Sequence, residues 1–396
     1  MHISLDSALG RQRRLNSVGE SVLQIAPNAA AAYSLRSLTG GDPRVVRVRR
    51  VIDNAESDFT ASGVSSGALT SFVNDIQTVG TAVNGTGSFD NYTVSNLSTT
   101  GFSADNSAGG TGSAGFPYVF KDEDVLVIKY TVTNFSSTSS LSPAIRGVNN
   151  VNSVTGKTNA GTTFTANGTY TDTLTATADG THLMFADGNT GSYTISDFEI
   201  VSHSSSGFVE TWYDQSGNSK DAVQATAGSQ PKIVNAGSFL NELDFDGTAD
   251  ELAIDFGADL SQANSFFMVH QSDTTTANSN DFFDRVSGSP RTLFDQSGNN
   301  YRMFSDSSAD TGVAITTDKS LVFALYNGAS SLFAKNGTAT SALNAGTAGV
   351  NQNSSLGASN VSFYNGTIQE FIIYNSDQSS NRVAVETNIN NQYSIF

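Results

Sequence analysis

Residues 212–222 read WYDQSGNSKDA, and FDQSGNN returns at 294–300. In the first copy a strand-like run, GFVETWY, ends on an aromatic pair and passes directly into Asp-Gln-Ser-Gly-Asn. Asp can accept hydrogen bonds within its own turn, Gly217 is free to take a positive φ, and Asn218 can bond onward to backbone, so the segment reads as a strand closed by a tight turn. The second copy lacks the Trp-Tyr lead and the Lys-Asp-Ala sequel, and reads as the same turn chemistry reused between two strands. The surrounding chain repeats the pattern. LNELDFDG, NSFFMVHQ, KSLVFALYNG, SLFAKNGT and VSFYNGTIQEFIIYN are short apolar or alternating runs, each bounded by Gly, Asn or Asp, as antiparallel strands are.

Composition agrees with an all-β chain. Of 396 residues only 14% are charged, Phe occurs 25 times and Gly 36 times, and a mixture of Thr, Val and Phe with Asn and Gly suits short strands joined by tight turns. The formal charge is -17. Eight Arg stand against three acidic residues in the first 50, which leaves 12 of the 20 Lys/Arg against 34 of the 37 Asp/Glu elsewhere. An acidic body repels phosphate backbones and argues against nucleic acid as a partner. The chain has no cysteine, so disulfides and thiolate metal sites are excluded. No run approaches the ~20 apolar residues of a membrane span, and the first 25 residues lack the apolar core of a secretory signal, so synthesis and folding in a cytoplasm are expected.

Three units are expected. Residues 1–26 form a basic arm around Arg11, Arg13 and Arg14, either a disordered terminus or an attachment segment. Residues 27–80 and 204–396 form a discontinuous sandwich, and residues 81–203, rich in Thr, Ser, Asn and Gly, form a second sandwich inserted into it. RVVRVRR at 44–50 reads as a half-exposed strand with Arg44, Arg47, Arg49 and Arg50 on its solvated side. Four Asn-Gly-Thr triplets, at Asn84, Asn167, Asn336 and Asn365, read as hairpin turns. A closing helix is expected over SSNRVAVETNINNQYSIF, capped by Ser379 or Ser380, with Arg382 and Glu386 paired and Val385, Ile389 and Tyr393 on one stripe.

Read together, AAYSLRSLTG, VRVRRVIDNAESDF, GFVETWYDQSGNSKDAVQATAGSQPKIV and the final FYNGTIQEFIIYNSDQSSNRVAVETNINNQYSI resemble the concanavalin A-like (laminin G-like) sandwich of B-type α-L-arabinofuranosidases. The same series is similar to modules of predicted bacteriophage virion proteins, which share WYDQSGN and the FDGT found here at 245–248. The inserted segment, with NYTVSNLSTTGFSADNSAGGTGSAGFPYVF leading in, resembles jelly-roll carbohydrate-binding modules. The resemblance to the enzyme family implies a nucleophilic Glu in the segment matching 280–289 and an acidic Asp in the turn matching 357–360. Here the first segment carries Asp281 and Asp284 but no Glu, and Ser359 stands where the Asp belongs. A retaining glycosidase needs two carboxyl groups about 5–5.5 Å apart, so the resemblance implies the sandwich without the enzyme.

No spacing of the four histidines (His2, His182, His203, His270) suggests a metal or triad. In LDFDG, alternation puts Asp244 and Asp246 on one face, where Ca²⁺ would find hard oxygens, although a charged strand edge explains the pair as well and no cofactor is expected. Glycan-stacking candidates are Tyr213 of the WYDQSGN turn, with Asp214 and Asn218 beside it, and Phe116 and Tyr118 of the insert; core packing is the competing role for Trp212. The functional expectation is a non-enzymatic virion structural protein, a phage decoration, fibre or spike component. It would attach to other virion proteins through its arm, present glycan-binding modules on the particle surface and form a homo-oligomer, with no membrane insertion. The alternative is a glycoside hydrolase with relocated carboxylates, Asp281 or Asp284 with Glu370.

Overall fold

The computed structural model describes residues 19–84, 93–105, 112–137, 142–147, 164–187, 191–276, 280–359 and 362–396. The chain is all-β with sandwich-like antiparallel sheets and a short C-terminal helix.

In the larger unit one layer runs Thr338–Ala339, Leu332–Lys335, Ser320–Tyr326, Asn264–Ser272, Asn365–Tyr374. The free side of the last strand pairs with both Ala31–Ser34 and Ser238–Asp246. The other layer runs from Glu56–Thr60 through Arg44–Arg50, Gly207–Trp212, Ala222–Val223, Leu252–Asp255, Asn353–Leu356, Asn280–Arg285 and Leu293–Ser297 to Asn300–Phe304 and Ser308–Ala314. The hairpin of Lys232–Asn235 and Ser238–Asp246 bridges the layers, because its first strand pairs with Gly207–Trp212 and its second with Asn365–Tyr374. Val46, Val48, Trp212 and Phe294 from one layer meet Phe266, Met268, Ile368 and Phe371 from the other in a shared core. Alternation along Asn264–Ser272 turns Phe267 and Val269 to the opposite face, where Val385 and Ile389 of the helix Arg382–Tyr393 cover them. A strand apolar on both faces is therefore accounted for by the helix that closes one of them.

The helix forms where the apolar stripe placed it, with the Arg382–Glu386 pair at 2.8 Å, but its N-cap is Asn381 rather than either serine, and Asn381 makes no capping bond with its side chain. The arm is shorter than the sequence suggested. Val22–Ile25 is helical, Val22 and Ala26 are buried against the C-terminal helix, and Asn388 donates to the Glu20 carbonyl at 2.7 Å, so residues 19–26 belong to the sandwich. Arg11, Arg13 and Arg14 lie outside the described residues. Nor are the strand arginines a solvated row. A register shift between Arg44 and Val46 breaks the alternation, Arg44 and Arg47 pair with Asp58, Arg50 with Asp53 and Asp75, and Arg49 is buried. Asn336 and Gly337, with φ of 50° and 79°, make the expected hairpin turn. Asn365 instead opens a strand.

From Val83 to Ser204 the described strands form two further sheets, one of five strands and one of four, around a separate core that includes Phe102, Phe116, Tyr130, Phe185 and Phe198.

Candidate functional site

The Asp-Gln-Ser-Gly-Asn turn is a clasp. Asp214 accepts from the Ala32 and Ser216 N–H groups (2.9 and 2.8 Å) with one oxygen, and from the Ser216 hydroxyl and the Lys220 N–H (2.7 and 3.0 Å) with the other. Gln215 donates to the Ser34 and Arg36 carbonyls and accepts from the Leu38 N–H. Asn218 donates to the carbonyls of Ala29 and Ala30. Three side chains thus fasten residues 29–38 to the strand Gly207–Trp212, and Gly217 turns the chain with φ 90°. With all its strong acceptor positions used, Asp214 has little left to offer a ligand. Tyr213 is also engaged, its hydroxyl donating to Asp58 (2.7 Å) and its ring lying under Arg44. Asn218 alone of the three is exposed, at the edge of a shallow depression. Trp212 is fully buried against Tyr33.

The insert aromatics are core residues. Phe116 stacks on Phe198 at 3.9 Å, and the Tyr118 hydroxyl lies 3.0 Å from His203 Nδ1, whose other ring nitrogen is 2.8 Å from Asp124. Phe116 and Tyr118 are 0% and 2% exposed and present no face to a sugar.

The carboxylates of the relocated-hydrolase alternative are apart. Asp284 is held by Arg291 through two nitrogens, and Asp295 by Arg302. Burial, partly offset by Arg302 and reinforced by Asp281, pushes Asp295 up to about 6. Asp281, Asp284 and Asp295 are each no more than 1% exposed. Glu370 is fully buried elsewhere, clamped by Arg36 and bonded by Ser34 and Tyr393, and among the described residues shares no partner with Asp284. Ser359 is buried in the return from Ala358 to Phe363, its N–H donating to the Ser362 carbonyl.

What the structure does assemble is a cleft of about 520 Å³ outside the bridging hairpin, walled by Arg49, Phe208, Lys232, Asp244, Asp246 and Asp250. Alternation does put Asp244 and Asp246 on one side of their strand. Gly247, at φ 73° and with Asn365 where a Cβ would sit, turns the chain so that Asp250 returns to accept the Asp246 N–H at 3.1 Å. Asp246 in turn accepts from the Thr248, Ala249 and Asp250 N–H groups (2.8, 2.9 and 3.3 Å) and from the Thr248 hydroxyl. These bonds outweigh the effect of burial and hold Asp246 below the usual carboxylate range. Asp250, 7% exposed, is pushed the other way, to about 7, by burial and by the charge of Asp246. Asp244 is raised by burial and by Asp273, opposed by Lys232 across the strand pair. On the facing wall the Phe208 ring lies beside the Arg49 guanidinium (5.2 Å) and the Lys232 ammonium (6.0 Å). Gln230 fixes Arg49 at 2.7 Å. No group of three or more His, Cys, Asp or Glu side chains among the described residues is placed to hold a metal, Asp244 and Asp246 included. Sequence parity found Asp244 and Asp246, and the sequence also shows Asp250 in an acidic pair with Glu251, but parity does not reveal that Asp250 and Phe208 reach the same cleft from a turn and from another strand.

No protein-family model matches the sequence, and no curated protein matches it either. Among solved structures the chain is similar to the sialidase of Trypanosoma rangeli, alone and in complex with sialic acid or with the inhibitor DANA. Identity is 11–14% and the TM-score 0.33–0.35 over 44–47% of this chain. The chain spans about 30% of the length of those structures. The expectation that the protein is not an enzyme finds no support in this comparison, in which the similar structures are sialidases. At this TM-score the likeness assigns the chain no activity of its own.

Proposed function

We propose that the protein is a surface component of a bacteriophage particle, built on a concanavalin A-like sandwich with a jelly-roll-like insert, and that it recognises host-surface glycans. The observation that carries glycan recognition is the cleft. An aromatic wall, an amide-braced guanidinium and three carboxylates converge on one concavity, the combination that satisfies both the apolar face and the hydroxyls of a sugar. The FDGT stretch that resembles phage virion proteins is the turn that forms its acidic wall. The fastening turn WYDQSGN, shared with the same proteins, supports the sandwich class and leaves recognition to the cleft.

Binding of the full chain to purified bacterial surface polysaccharides, measured by an array and by calorimetry, tests the reading. Phe208→Ala is expected to lower affinity at least tenfold with the fold intact. A full chain that binds none of the polysaccharides, or a Phe208→Ala variant that binds as tightly as the parent, refutes glycan recognition at this cleft. Particle attachment is tested separately by deleting residues 1–18, which spares the packed segment from Val22 to Ala26.

A further inference from the structure

We propose that the cleft hydrolyses O-glycosidic bonds as well as binding glycans, with Asp250 as proton donor, Asp244 as the base that activates water, and Asp246 as a fixed charge that positions the donor's proton. The proposal rests on the glycan-binding reading above.

The geometry separates three carboxylates that share one wall. Asp246 is committed to its turn by the bonds from Thr248, Ala249 and Asp250, so it stays ionised and does not move. Asp250 sits directly behind it, tied to the Asp246 N–H, in a position where a second negative charge is resisted. Asp244, two residues earlier and therefore roughly 6–7 Å along the strand, lies on the same face. Among the described residues its carboxylate accepts no hydrogen bond, and its cross-strand neighbour is Lys232. The charged groups facing the three from other elements are Lys232 of the strand Lys232–Asn235 and Arg49 of the strand Arg44–Arg50, with Asp273 beyond Asp244. One carboxyl that holds its proton near neutrality and one open carboxylate, both in a sugar-sized cleft, are the two groups that glycoside hydrolysis requires. A turn serving only the fold would work equally well with an amide at position 250, which could bond the Asp246 N–H without introducing a second acid.

The reaction balances without a cofactor. Asp250 gives its proton to the glycosidic oxygen as the bond from that oxygen to the anomeric carbon breaks. Asp244 takes a proton from water while the water oxygen bonds to the anomeric carbon. The leaving saccharide carries the proton from Asp250, and proton exchange with solvent resets both groups. One water is consumed per bond cleaved.

The test incubates the full chain with a panel of 4-nitrophenyl glycosides and with the purified surface polysaccharides that it binds, following nitrophenolate and reducing ends. Turnover is expected, with the basic limb of kcat/KM near pH 7. Asp250→Asn and Asp244→Asn are each expected to lower kcat by about 10²–10⁴-fold, a larger change than any accompanying change in KM. Asp246→Asn is expected to move the basic limb to lower pH, a change that loss of structure alone does not produce. Trp212 emission checks that each variant is folded. Binding without turnover by the parent chain overturns the inference and leaves the recognition reading standing, whereas neither binding nor turnover overturns both. Turnover that survives Asp250→Asn and Asp244→Asn unchanged removes the assignment of these residues.

Discussion

Replacing Asp250 by Asn should stabilise the protein progressively as pH rises above about 4, with the full gain at neutral pH and above. An aspartate has a pKa of about 3.9 in an unfolded chain, whereas burial and Asp246 push Asp250 up to about 7 in the fold. A carboxyl whose pKa is raised on folding contributes its full share of stability below the unfolded value and loses it as pH rises through the folded value. The loss here therefore falls between about pH 4 and pH 7. Three pKa units correspond to about 4 kcal/mol, and water entering the open cleft screens part of this, leaving about 2–4 kcal/mol. The amide can still accept from the Asp246 N–H but carries no charge. The variant should match the parent at pH 4 and exceed it by about 2–4 kcal/mol at pH 8, or roughly 5–10 °C in Tm for a unit of this size. Trp212, the chain's one tryptophan, lies in the core of the larger sandwich, so thermal unfolding followed by its emission reads the unit that holds Asp250. Equal stabilities at pH 8, or a gain that is the same at pH 4 and pH 8, would refute the reasoning.

Three other perturbations probe the rest of the structure. Asp214→Ala strands the Ala32, Ser216 and Lys220 N–H groups and the Ser216 hydroxyl, and should cost about 3–5 kcal/mol in urea unfolding; a loss under about 1 kcal/mol would show that the turn is not the clasp described. His270, fully buried between the Tyr301 and Tyr364 hydroxyls, is depressed by burial to about 3. It should therefore cost the parent up to about 5 kcal/mol as pH falls from about 6.5 toward 3, and His270→Gln should flatten that slope in acid titrations. A Cβ at Gly115 would lie 2.0 Å from the Leu183 carbonyl oxygen, so Gly115→Ala should unfold the insert, seen by limited proteolysis, without lowering the Trp212 transition; a parallel fall of both would mean that the two cores fold as one.

Local patterns in the sequence were legible where local physics decides them. The closing stripe of Val385 and Ile389, the Asn336-Gly337 turn and the shared face of Asp244 and Asp246 each follow from a period of 3.6 or 2 or from a positive φ. What failed to show was which side of a pattern faces water. Alternation through Phe116, Pro117 and Tyr118 correctly put the two aromatics on one face, but that face is the insert's core, because Phe198 and His203 arrive there from more than 80 residues away. The meaning of DQSGN was hidden for the same reason. The types of its polar side chains announce a turn, while their partners lie in residues 29–38, some 180 positions earlier.

The cleft was the least legible feature, and the bridging hairpin explains why. Lys232–Asn235 and Ser238–Asp246 pair with different layers, so their outward side chains meet residues from strands that no sequence period connects: Arg49, Phe208 and the returning Asp250. A sheet crossing of this kind leaves a concavity on its outer side, and here that concavity carries like charges that oppose folding. Lys232 also stands 3.7 Å from Glu123 in a turn of the insert. A saccharide longer than one residue, lying past Lys232, would therefore run from the acidic wall of the larger sandwich onto the insert. Under the proposed glycan recognition the insert would extend the binding surface, and Glu123→Lys should weaken binding of polysaccharide while leaving binding of a monosaccharide unchanged. Equal effects on both ligands, measured by calorimetry, would confine the site to the larger sandwich.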